Sequence, residues 1–179
     1  MSNNSSNSIL KRLIFFIISC SITGNIIAQR QEREANLKAV FIYNFTKYIE
    51  WDTTNADNIF TIGIIGSSPI TESLLDIARM NTVDNKKIVI RHFTKPEEIS
   101  YCNILFIPRK IPFSLESILD KVVRGMLTIS EEDGYAKMGT AFNFVVNNDK
   151  LKFEANLRTI SAEGLKASSQ LLKLAKIVD

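Results

Sequence analysis

At 179 residues the chain is long enough for a single domain with a sizeable core, and 22 Lys+Arg against 19 Asp+Glu leave a net charge of only +3. Such a balance, with no strongly basic stretch, excludes nucleic acid as the expected partner. One histidine and two cysteines exclude a zinc or copper site of His/Cys type within one chain.

The first 28 residues hold no Asp or Glu. Lys11 and Arg12 precede the apolar run Leu13-Ile14-Phe15-Phe16-Ile17-Ile18, which fades by Gly24. This is the pattern of a secretory signal peptide, too short to cross a hydrocarbon core of roughly 30 Å as a stable helix. Ala28, with Ile26 two positions before it, marks cleavage before Gln29. The alternatives are an uncleaved N-terminal anchor and lipidation, since Ile17-Ile18-Ser19-Cys20 fits a loose lipoprotein box that would tether the protein to a membrane through Cys20. Cleavage at Ala28 removes Lys11, Arg12 and Cys20, which leaves 20 basic against 19 acidic side chains. Cys102 is then the only cysteine, no intramolecular disulfide can form, and packing alone must stabilise the domain.

Residues 29–35 read as a disordered polar lead-in and residues 36–179 as one domain. Leu37, Val40, Phe41, Asn44, Phe45, Tyr48 and Ile49 fall at three- and four-residue steps, an apolar helical stripe with Lys38 and Lys47 off it. Asp52 to Asn58 is turn-rich. Ile59–Ile65 is a β-branched run, read as a strand buried on both faces. Ser68 can cap a helix and Pro69 suits its first position, so Ile70–Met80 reads as a helix. Lys87–Phe93 is a second strand, Pro96–Ser100 a short helical or turn segment, and Ile104–Ile107 a third strand stopped by Pro108. A helix over Pro112–Val123, a fourth strand over Gly125–Ile129 and a loop over Glu131–Gly139 follow. Thr140–Val146 and Leu151–Ala155 are strands joined by the tight-turn sequence Asn147-Asn148-Asp149-Lys150. A terminal helix is expected from Ser161 to Ile177, with Leu165, Ser168, Leu171, Leu172 and Ala175 inward. Phe41, Phe45, Leu171 and Leu172 are assigned to the core. Strands separated by helices demand parallel crossovers. The fold class is therefore α/β: a three-layer sandwich with a mixed, mostly parallel sheet, a C-terminal antiparallel hairpin and a terminal helix.

No catalytic set emerges. There is no Gly-x-Ser-x-Gly elbow, and His92 lies on a strand between Arg91 and Phe93. Glu131-Glu132-Asp133 reads as solvated acid, and Cys102 as a buried, inert thiol. Gly66, Ser67 and Ser68 stand at a strand-to-helix junction, and Arg109 follows the third strand. Together they could hold an anionic group at the carboxyl ends of the strands. The stretch lacks a dinucleotide fingerprint and a Walker lysine, and no cofactor or metal is expected. Tyr43, Tyr48 and Trp51 are aromatics of the kinds enriched at binding hot spots and are candidate partner-binding residues, against the plainer reading that they anchor the first helix on the sheet.

Several segments carry a resemblance: Leu37-Lys-Ala-Val-Phe-Ile-Tyr-Asn-Phe-Thr-Lys-Tyr-Ile-Glu-Trp51, Asn103-Ile-Leu-Phe-Ile107, Asn143-Phe-Val-Val-Asn147, Phe153-Glu-Ala-Asn156 and Gly164-Leu-Lys-Ala-Ser-Ser-Gln-Leu-Leu-Lys-Leu-Ala175. From about Asn36 to Val178 the chain resembles the YfiR family of bacterial periplasmic proteins. The resemblance implies a non-enzymatic periplasmic regulator. It would bind the periplasmic domain of an inner-membrane signalling protein, a diguanylate cyclase or a sensor kinase, and repress its output, with cyclic di-GMP and biofilm formation downstream. It leaves room for a homodimer. Members that sense through disulfides need several cysteines, which this chain lacks. The alternative reading is a periplasmic receptor for a small anionic ligand.

Overall fold

The structure is a computed structural model that describes residues 29–51, 58–148 and 150–179. The expected signal segment with Cys20 and Ala28 lies outside the described residues, as do most of the turn-rich link after Trp51 and Asp149 of the hairpin turn. The chain divides into two compact units, residues 1–34 and 35–179. Of the first unit, residues 29–34 are helical and mostly exposed. The expected disorder of 29–35 is thus replaced by helix, in keeping with the high helix propensity of Gln, Arg, Glu and Ala.

The second unit opens with α1 (residues 35–45), whose buried positions are Ala35, Lys38, Ala39, Ile42 and Phe45. This stripe is rotated from the expected one: Leu37, Val40 and Tyr48 are exposed. Apolar side chains occur on both faces of α1, so periodicity alone is ambiguous. The small Ala35 and Ala39 face inward because they let the helix approach the sheet closely.

Beyond α1 the order is β1 (Ile49–Trp51), β2 (Ile59–Ile65), α2 (Ile70–Met80), β3 (Thr82–Val83), β4 (Lys86–Phe93), a 3-10 turn (Pro96–Glu98), β5 (Ile104–Ile107), α3 (Leu115–Leu119) and β6 (Leu127–Ser130). Then come β7 (Phe142–Asn147), β8 (Lys150–Asn156), α4 (Leu157–Ala162), β9 (Leu165–Ala167), α5 (Ser169–Leu172) and β10 (Lys176–Val178). Eight strands form one sheet in the order β10-β8-β7-β6-β5-β2-β4-β3, and β1 pairs with β9 in a separate two-stranded sheet. Within the large sheet β4, β2, β5, β6 and β7 run parallel, whereas β3 and β8 are antiparallel to their neighbours β4 and β7. The chain is a mixed α/β sandwich, as its alternation of elements implied.

Two clusters fill the faces of the sheet. One joins Ile42 and Phe45 of α1 and Leu74 of α2 to Ile62, Ile64, Phe106, Ile129, Phe142 and Phe153. The other joins Leu115 and Ile118 of α3 to Ile65, Leu105, Ile107 and Cys102. All members of both lie between residues 35 and 178, so the second unit contains its whole core. All four residues of β5 are buried, alternating between the clusters. Gly63 lets the layers close up: a Cβ there would lie 2.6 Å from the Phe93 ring and 2.9 Å from Cys102 Sγ. Of the four residues assigned to the core, Phe45 and Leu171 are buried, while Phe41 and Leu172 pack against its edge.

The expected terminal helix over Ser161–Ile177 does not form. Gly164 takes φ +74°, a left-handed conformation that ends α4. β9 then pairs with β1, Ser168 caps α5 by accepting from the Leu171 amide at 3.2 Å, and β10 joins the sheet beside β8. The helix expected over Pro112–Val123 shortens to one turn and a half, capped by Ser114, because the β-branched Val122 and Val123 lead into Gly125 at φ +90°. β3 and β4 form a hairpin that turns at Asp84 and Asn85 with positive φ, an element absent from the expected order.

Candidate functional site

β4 lies on one side of β2 and β5 on the other, so the chain reverses its direction of growth across β2. Open α/β sheets form crevices where that reversal parts the loops at the carboxyl ends. Here the loops after β2, β5 and β6 converge, carrying Gly66–Pro69, Pro108–Ile111 and Glu131–Asp133. Gly66 (φ +75°) anchors the first of them: its amide donates to the Phe93 carbonyl at 2.8 Å, and a Cβ on it would stand 3.5 Å from Ile111. Ser68 Oγ accepts from the Ile70 amide at 3.4 Å at the start of α2, and Ser67 is exposed.

Arg109 is drawn away from these serines. Its guanidinium donates from Nε (3.1 Å) and Nη2 (2.9 Å) to the Glu131 carbonyl, and its amide donates to Glu131 Oε1 at 3.0 Å. The Lys38 ammonium of α1 donates to Glu131 Oε2. Lys38 and Glu131 are both buried, which corrects two expectations: that Lys38 lies off the inward stripe and that Glu131 belongs to a solvated acidic run. A buried carboxylate needs a counter-charge and donors, and this one receives an ammonium and a backbone amide. The rest of the acidic run does meet solvent, and Glu132 accepts from the Lys110 amide at 3.2 Å. The pairing could have been found in the sequence by testing the rotated stripe, in which Lys38 stands between Ala35 and Ile42.

The three aromatics part company. Tyr43 donates to the Thr82 carbonyl at 3.3 Å and lies under the Lys47 ammonium, 4.7 Å from its ring centroid. Trp51 donates from Nε1 to the Asn103 carbonyl at 3.2 Å and meets Phe60 edge-on at 5.2 Å. Tyr48 is the exposed member; its carbonyl accepts from the Ser168 amide at 2.8 Å. Tyr43 and Trp51 therefore pin α1 and its exit to the sheet. Gln29 is helical and exposed, while Ala28 lies outside the described residues.

Chemically the crevice holds a cation, a paired carboxylate and a helix start, and no nucleophile beside a base. His92 is exposed with its Nε2 3.2 Å from Thr71 Oγ1. Burial pushes the Cys102 thiol up to about 12, which keeps it protonated and inert. Among the described residues, no group of three or more His, Cys, Asp or Glu comes together as a metal site, and no helix is long and apolar enough to cross a membrane.

The model of the YfiR/HmsC-like family matches residues 35–176, a span that begins where the second compact unit begins and takes in every strand but the end of β10. The chain belongs to the YfiR/HmsC-like family. The YfiR/HmsC-like proteins are regulators of the periplasm rather than catalysts, and the cyclic di-GMP signalling context comes with that membership.

Proposed function

We propose that this YfiR/HmsC-like protein is exported, binds the periplasmic region of an inner-membrane signalling protein, and holds that protein's output off. The observation that carries the reading is the family match over residues 35–176, nearly all of the second unit. Physically, repression needs only selective affinity: the regulator must bind the inactive state of its client more tightly than the active one. A difference of about 5.5 kcal/mol would move a client from almost fully active to almost fully inactive, and smaller differences give graded control. The rigid, twice-covered sheet suits such a role, because a preformed surface loses little freedom on docking.

The test is affinity capture from solubilised membranes with residues 29–179 as bait, paired with deletion of the protein in its own cell. An integral-membrane sensor or cyclase in the captured fraction, and raised cyclic di-GMP on deletion, are the expected results. Capture of no membrane protein together with unchanged cyclic di-GMP would refute the reading.

A further inference from the structure

We propose that the large sheet holds one internal water, bound between the Asn143 amide and the Glu154 carboxylate on the face opposite α1. The proposal needs no protein client and stands apart from the signalling reading.

Pairing register sets out the site. Ser130 of β6 pairs with Asn143 of β7, Asn143 with Glu154 of β8, and Glu154 with Lys176 of β10. Partners in register share a face, so these four side chains form one row across four strands. The row lies on the face away from Phe142 and Phe144, whose rings join the cluster under α1. Ser130, Asn143 and Glu154 are buried, and only Lys176 at the edge reaches well into solvent. The loop between β6 and β7 is fastened beside the row. Asn156, two positions beyond Glu154 and on the same face, donates from Nδ2 to the Ala136 carbonyl at 2.8 Å.

The two ends of the row are bonded and the middle is not. Ser130 Oγ donates to Asn143 Oδ1 at 2.7 Å, which turns the amide oxygen toward β6. Lys176 Nζ donates to Glu154 Oε1 at 2.9 Å, which turns that carboxylate toward β10. Directly opposed residues have Cβ atoms about 5 Å apart, yet the polar heads of this pair are drawn in opposite directions. Asn143 Nδ2 is buried and has no hydrogen-bond partner. A donor left in that condition carries its full desolvation penalty.

The guest that relieves it must accept from an amide and donate to a carboxylate. A metal cation cannot accept, and an anion is repelled by Glu154. Water does both, and the site offers it the two polar partners that an internal water needs. With water in place, hydrogen bonds run unbroken from Lys176 at the edge of the sheet to Ser130, whose hydroxyl also lies 2.8 Å from Thr140 Oγ1.

The experiment is a high-resolution crystal structure of the purified protein, paired with NMR cross-relaxation between water and the Asn143 side-chain amide. A water oxygen at about 2.7–3.2 Å from both Nδ2 and a Glu154 oxygen is expected, with a long-lived water cross-peak at that amide. Glu154→Gln keeps an acceptor and should retain the cross-peak. Glu154→Leu should lose it with circular dichroism unchanged. The proposal is overturned if Nδ2 bonds Glu154 directly, if the amide is turned so that Nδ2 meets Ser130, if the space is empty or holds a cation, or if Glu154→Leu keeps the water. Should Glu154→Leu fail to fold, the parent structure and Glu154→Gln still decide.

Discussion

Lys38 occupies the middle of the buried face of α1 and is tolerated there because Glu131 meets it. Lys38→Met should cost about 3–5 kcal/mol, because it strands a buried carboxylate, whereas Lys38→Met/Glu131→Leu should recover most of that loss. Urea titration of the two variants checks both expectations. Glu163 behaves differently. Half-buried at the end of α4, its carboxyl is pushed up from 4.5 to about 7 by desolvation. The folded state then holds a proton that the unfolded state has released, so this group lowers stability as pH rises from about 4.5 to about 7, and the penalty is complete above that. Glu163→Gln should therefore stabilise the protein at pH 8 and leave it nearly unchanged at pH 4. The gain is about 1 kcal/mol once solvent screening at a half-buried site is allowed for, read as a difference in melting temperature. Neither residue announced its role in the sequence. Lys38 was masked by a second apolar face on the same helix, and the environment of Glu163 depends on a break at Gly164 that helical periodicity runs straight through.

Elements were legible wherever one local signal dominated. The limits of β2, α2 and β5 follow from β-branched runs, a Ser-Pro start and a proline stop, and all three coincide with expectation. The hairpin of β7 and β8 was marked by its Asn-rich turn, whose Asn148 takes φ +50°. The C-terminal third defeats periodicity because its leucines recur at helical spacing, while pairing with β1, more than a hundred residues away, imposes β9 and pairing with β8 imposes β10. Gly66, Ser67 and Ser68 follow the end of β2 and Arg109 follows the end of β5, neighbouring strands, but the sequence could not show that the guanidinium turns toward the Glu131 carbonyl. At this scale Gly63 is the sensitive point. Gly63→Ala introduces a methyl into space already occupied by Phe93 and Cys102, and it should destabilise by about 1–3 kcal/mol in chemical denaturation.

For the whole molecule, both core clusters lie within the second compact unit. Residues 29–179 alone should therefore melt in a single cooperative transition, with calorimetric and van't Hoff enthalpies that agree. A broad or two-step melt would show that the fold depends on what precedes it. The order of strands also imposes a timetable. Ile49 pairs with Ala167, and the Ser168 amide reaches back to the Tyr48 carbonyl, so the beginning of the domain is fastened by nearly its last residues. A chain emerging stepwise from a translocation pore or a ribosome cannot tie that knot of contacts until its tail is free. Assembly should accordingly wait for release and then proceed slowly, as loop closure over so long a span requires. Until that moment the growing chain remains threadable, which is the state that passage across a membrane demands.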